Sequence, residues 1–336
     1  MERYISVERT RMVDEASYGH IPTPLTSSLL RFVLVYLIAS LLSGIVSSIP
    51  LGVYLFTRTD FMQVVSDATN GTITNEVYLE KIDSILTNLP PVFSLVMLFC
   101  TVTSIAAAII YCKLIEKRSI ASMGIRKGNA FAEYMAGAGI GVIMYALTFL
   151  IALASGSVSI KLNPQGFMPI ILLFLVGYII QGASEELLVR GYLMVTVARD
   201  YKPWIAIIFS STMFSVLHAF NVGVSILALV NIFLFGILMG VYVFKRGNIW
   251  GACAIHSFWN FAQGNIFGSF VSGNSATPSV FLMEYDPSRQ LANGGIFGLE
   301  GGAAATIVLV IALGLCLLLK TKKSEVSILE SPLNVA

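Results

Sequence analysis

The sequence predicts an all-α polytopic membrane protein, a bundle of about eight transmembrane helices with both termini in the cytoplasm. Three observations predict it. The 336 residues are 56% hydrophobic and only 12% charged, where soluble domains carry about 25% charged residues. Several apolar runs reach the roughly twenty residues that cross a bilayer. The basic residues also segregate: sixteen of the 21 fall in alternate connections, only Arg58, Lys81, Lys161 and Arg289 fall in the others, and Arg190 lies within a span. A wrong count of spans would scramble that segregation.

The elements follow in order. Residues 1–28 form a polar cytoplasmic leader without the apolar core of a signal peptide, and Pro22 and Pro24 oppose a continuous helix through its end. Residues 29–128 hold the first two spans. The first covers about 29–56, and Pro50 predicts a kink or a shortening. An extracellular loop, 57–91, follows. Within it Val77, Ile82, Ile85, Leu86 and Leu89 recur near helical spacing and predict an amphipathic helix, while Asn70-Gly71 reads as a turn. The second span, about 92–115, runs into a basic hinge with Lys113, Lys117, Arg118, Arg126 and Lys127.

Residues 129–267 carry five more spans. The third, about 131–154, has Gly137 and Gly141 at the spacing that lets a neighbouring helix approach closely, and Glu133 near enough to its start to reach the interface. The fourth begins near Phe167 and continues to about Arg199. That is too long for one straight crossing, so it must tilt, kink near Gly182, or project into the cytosol. The fifth to seventh cover about 204–220, 225–244 (with a second close-packing pair, Gly236 and Gly240) and 249–267. A Gly/Ser/Asn-rich extracellular loop, 268–302, precedes the last span and a cytoplasmic tail within 303–336. Cys100, Cys112, Cys253 and Cys316 all sit in apolar segments and form no CxxC, so they predict neither a disulfide framework nor a thiolate zinc site. The net charge of +2 gives no argument for nucleic acid.

Function is concentrated in the stretch Gln181–Leu193, where Glu185, Glu186 and Arg190 interrupt a long apolar region. A charged side chain at the centre of a membrane helix costs roughly 2.5–3.5 kcal/mol on insertion scales, which spanning alone does not require. Glu186 and Arg190, four apart, share a helix face and can pair; Glu185 projects elsewhere as a candidate general base. Of three histidines, His20 reads as a solvated residue of the leader, while His218 and His256 lie in spans. Phe214 shares a face with His218, and Asn260 with His256. Each of these groups alone reads as a packing residue, an ion pair or a cap. Together, in spans with almost no other charge, they could polarise a water and stabilise the oxyanion formed when it attacks a carbonyl. Depth leaves two alternatives. Glu185 and His218 lie roughly 20 Å from the cytoplasmic ends of their helices and His256 only about 10 Å, so either the fourth and fifth helices project or the turn at 246–249 dips inward.

Three motifs, Glu-Glu-x-x-x-Arg at 185–190, Phe-x-x-x-His at 214–218 and His-x-x-x-Asn at 256–260, resemble in order and spacing those of the CPBP intramembrane proteases. That family comprises CaaX prenyl endopeptidases of the Rce1-like type and bacteriocin-processing enzymes, also called the Abi family. The resemblance covers about 120–265 and implies that Glu185 with His218 activates the attacking water, that His256 with Asn260 forms the oxyanion site, and that Glu186 and Arg190 support them. It also leaves two chemistries: a metal-free one, and a zinc site with Glu185, His218 and His256 as ligands. The asparagine and the absence of His-Glu-x-x-His favour the first. No Gly-x-Ser-x-Gly nucleophile is present. The reading is a membrane-embedded endopeptidase acting near the cytoplasmic side on a peptide or protein, such as a bacteriocin or pheromone precursor, or giving immunity to such peptides. The rival is a non-catalytic scaffold of the same fold that binds a sensor kinase or a cell-wall enzyme as a membrane protein partner.

Overall fold

The computed structural model describes residues 7–165, 169–275 and 278–321. Phe167, where the fourth span should begin, and the tail with Lys322 and Lys323 lie outside the described residues. The chain is a multi-pass membrane protein. Among the described residues five helices are long and apolar enough to cross a bilayer: Leu25–Thr57, Pro91–Leu114, Ala130–Ala154, Ile170–Ala198 and Ile226–Arg246. Two further apolar helices, Pro203–Leu217 and Ala303–Leu318, are shorter. The predicted seventh span folds as a 12-residue helix, Trp250–Phe261, and a π-helical turn, Ala262–Ile266, both buried inside the bundle.

The leader is not merely solvated. It forms helix α1 (Arg11–Ser17), whose Met12, Val13 and Ala16 are buried, and His20 Nε2 lies 3.0 Å from the Asp200 carboxylate. His20 is therefore a partnered, largely buried residue, because the leader folds back onto the bundle. The chain breaks at the two prolines and restarts as α2 (Leu25–Thr57), which continues through Pro50 for 33 residues, about 50 Å of helix. The loop 57–91 is a helical hairpin of α3 (Thr59–Thr69) and α4 (Asn75–Thr87), turned at Gly71 with φ +70° and capped at Thr74. The amphipathic pattern of α4 was legible. In α3, Phe61, Val64 and Val65 fall at the i, i+3, i+4 spacing of one helix face.

Next come α5 (Pro91–Cys100) and α6 (Val102–Leu114), then α7 (Ala130–Ala154) and α8 (Ile170–Glu186). A π-helical segment, Leu187–Met194, and a short α9 (Val195–Ala198) prolong α8. After them come α10 (Pro203–Leu217), α11 (Ile226–Arg246), α12 (Trp250–Phe261) and α13 (Ala303–Leu318). The glycine pairs act as close-approach points. A Cβ on Gly137 would lie 2.8 Å from Gly251 Cα and one on Gly141 2.5 Å from the Ile255 carbonyl, so α7 and α12 meet backbone to backbone. Gly236 does the same for α11 against Ser211 of α10.

The two ends of the bundle differ. At one end α1, the 113–127 hinge, α9 and the 246–249 turn converge. Arg118, buried, donates to Thr196 Oγ1 (2.9 Å) and the Gly191 carbonyl (3.0 Å), while Arg199 reaches Glu116 (3.2 Å). Glu133, predicted to reach the interface, is instead buried and paired with Arg246 at 2.5 Å. It sits under α11's end, where desolvation requires a counter-charge. At the opposite end β1 (Val158–Leu162) pairs antiparallel with β2 (Phe281–Tyr285), tying the 155–163 connection to the 268–302 loop. Ile249 packs against Gly191 and bonds the Gly124 carbonyl, while α9 continues past that level to pack on α1. The fourth helix therefore extends beyond the level of the 246–249 turn.

Candidate active site

The site is assembled where α8 meets α12. Gly182 lacks a side chain at the crossing, where a Cβ would fall 2.5 Å from Ser257 Oγ. No kink occurs there; α8 stays regular to Glu186 and the backbone widens to π-helical geometry only from Leu187. The glycine is used for close approach, and π-turns recur where side chains must be re-aimed within a helix. The approach brings the last turn of α8 level with His256.

Glu186 and Arg190 pair as their spacing predicts, with Arg190 Nη1 at 3.2 Å from Glu186 Oε1 and both side chains fully buried. The guanidinium also lies over the Phe214 ring, 4.5 Å from its centroid, a cation–π contact in a desolvated setting. The same Glu186 oxygen accepts from His256 Nδ1 at 2.9 Å. His256 Nε2 faces Glu185 Oε2 at 3.6 Å, so the imidazole stands between the two acids. Phe214 and Phe235 present ring edges to it, with centroids at 6.0 and 5.2 Å.

Glu185 does point away from the Glu186–Arg190 pair. Its Oε1 accepts from Gln181 Nε2 (2.7 Å), while Oε2 has no hydrogen-bond partner although it is shielded from solvent. Asn260 Nδ2 donates to Gln181 Oε1 (3.0 Å), so Gln181 links the asparagine to the acid. His218 caps α10 and stacks edgewise on Phe214 at 4.8 Å. Its Nδ1 lies 2.8 Å from the Phe214 carbonyl. A carbonyl can only accept, so Nδ1 carries the proton and the neutral ring keeps its lone pair on Nε2.

Glu185, His218, His256 and Asn260 line one cavity of about 360 Å³. Its walls continue through Ser43 and Ser47 of α2, Ser94 of α5 and Thr101, and its rim includes Asn221, Ser272, Asn274 and Ser275. The rim residues belong to the end of the bundle that carries the β-ribbon, away from the basic cluster. Among the described residues no three His, Cys, Asp or Glu side chains are gathered as metal ligands. Of the three candidate ligands, His256 has its Nδ1 held by the Glu186 carboxylate and its Nε2 toward Glu185.

Sequence reasoning missed Gln181, although its four-residue offset from Glu185 was readable as a shared helix face. It also missed Phe235, an apolar residue among many. Asn231 and Glu300, which border a smaller chamber beside His218, were missed as well.

Residues 166–262, under a third of the chain but containing all three motifs, match the model of the Rce1-like family of type II CAAX prenyl endopeptidases. No curated protein matches the chain.

Proposed function

We propose that this chain, whose core matches a family of intramembrane proteases, hydrolyses a peptide bond with a water held by Glu185 and His218. One observation carries the reading: Glu185, His218, His256 and Asn260, contributed by three separate helices, border a single cavity. In the cycle we propose, the unpartnered Glu185 Oε2 takes one water proton as the oxygen attacks the carbonyl carbon, while His218 Nε2 orients the water. His256, held by Glu186 at Nδ1, presents Nε2–H to the developing oxyanion in its doubly protonated form, and the second N–H of Asn260 joins it. The C–N bond then breaks as Glu185 returns its proton to the leaving nitrogen. The product acid gives its own proton to His218. Arg190, through Glu186, fixes the orientation of His256. No metal is needed in this cycle.

Eight membrane-crossing segments with both termini cytoplasmic complete the proposal, and place the cavity mouth on the extracellular side. An extended peptide fits a mouth lined by serine, threonine and asparagine, which can bond a peptide backbone. A small secreted precursor of bacteriocin or pheromone type suits that position, with processing or self-immunity as its use. The test is purified protein in liposomes with a peptide library read by mass spectrometry. Wild type should cleave, while Glu185→Gln and His218→Gln should each lose at least about a hundredfold in rate while remaining inserted. Cellular phenotypes that survive both substitutions would favour the scaffold reading, in which the fold binds a sensor kinase or cell-wall enzyme.

A further inference from the structure

Beside the main cavity lies a chamber of about 30 Å³, room for about one water. His218, His256 and Asn260 bound it on one side, Asn231 and Glu300 on the other. Glu300 lies outside the family-matched segment, in the turn Leu299–Gly301 before α13.

The turn is held from α11. Asn231 Nδ2 donates to the Glu300 carbonyl (2.8 Å) and the Gly302 carbonyl (2.9 Å), and Thr306 Oγ1 donates back to Asn231 Oδ1 (2.7 Å). The carboxylate is held separately. Its Oε1 accepts from the Ser272 N–H (2.5 Å) and the Ser272 hydroxyl (2.8 Å). The carboxylate is thus fixed at the wall of a chamber that His218 also lines.

We infer that Glu300 resets His218 after each turnover, taking the product acid's proton from the imidazole through the chamber water. The step moves one proton and no electrons: His218 Nε2–H loses the proton, the water relays it, and the Glu300 carboxylate becomes a carboxyl that later releases it to solvent. Glu300 acts through His218 and is a positioning residue. The inference rests on the proposed hydrolysis. Burial raises the carboxyl of Glu300 above the usual range, and the Ser272 hydrogen bonds, then positive charge on His218, act against it. His256 borders the same chamber and stays in place in every variant of the test, and the phenols of Tyr145, Tyr178 and Tyr285, also coupled to Glu300, are neutral near pH 7.

The test uses Glu300→Gln, whose amide oxygen keeps the Ser272 bonds but cannot take a proton. Expected are an unchanged single-turnover rate, a steady-state kcat lower by about tenfold, an unchanged KM, and recovery in Glu300→Asp. Equal effects on single and multiple turnovers, or none on either, overturn the inference. Difference infrared titration of wild type against Glu300→Gln supplies an arm that needs no substrate. The Glu300 carboxyl band should titrate at higher pH in His218→Gln, because the cation that favours its charged form is gone; an unmoved band overturns the coupling. If wild type cleaves nothing, or Glu185→Gln still cleaves, the hydrolytic reading falls and the reset falls with it.

Discussion

Replacing Glu186 by glutamine should destabilise the protein far more than the same change at Glu185. Glu186 and Arg190 are both fully buried and 3.2 Å apart. Removing one partner of a buried pair costs about 3–5 kcal/mol, because the other charge is left without a counter-ion. Arg190 keeps the Phe214 ring at 4.5 Å, a contact worth roughly 2 kcal/mol when desolvated, and the new amide still offers an oxygen to His256. The lower end, about 3 kcal/mol, is therefore the expected cost, more than a hundredfold in the folded-to-unfolded ratio. Glu185, about a third exposed, should cost under about 1 kcal/mol as glutamine. The assay is equilibrium unfolding in mixed micelles followed by tryptophan fluorescence. The double variant Glu186→Gln with Arg190→Met removes the stranded charge and should recover part of the loss. Glu186→Gln within about 1 kcal/mol of wild type, or a double variant less stable than that single one, would refute the buried-pair argument.

Other predictions follow from separate parts of the molecule. Gly141→Leu forces a side chain into the Ile255 carbonyl and should cost about 1–3 kcal/mol or more, with α7 and α12 pushed apart and cleavage reduced; wild-type stability in the same unfolding assay would contradict the close packing. Chelation by EDTA with subsequent zinc addition should leave peptide cleavage unchanged within about twofold. A loss restored by zinc would overturn the metal-free chemistry. A cysteine at Asn274, exposed at the cavity rim, should react with an impermeant maleimide applied to intact cells, whereas one at Lys117 should not. The four native cysteines are buried, so the background is low. The opposite pattern would invert the proposed orientation.

The linear pattern determined a good deal by itself. Apolar run length announced membrane helices, because backbone groups in lipid must be satisfied within each segment. Small residues four apart announced a close helix contact on α7, though not that α12 would make it. Helical offsets announced the Glu186–Arg190 pair and the Phe214–His218 stack, since both depend only on neighbours along one helix. What one helix cannot specify is how far it slides past another. The projection of α8 beyond the Ile249 turn, the seat of His256 between two acids, the return of the leader to enclose His20, and the arrival of Glu300 beside His218 all depend on contacts between distant segments. Packing and desolvation fix those contacts in three dimensions, and only the assembled bundle decided them.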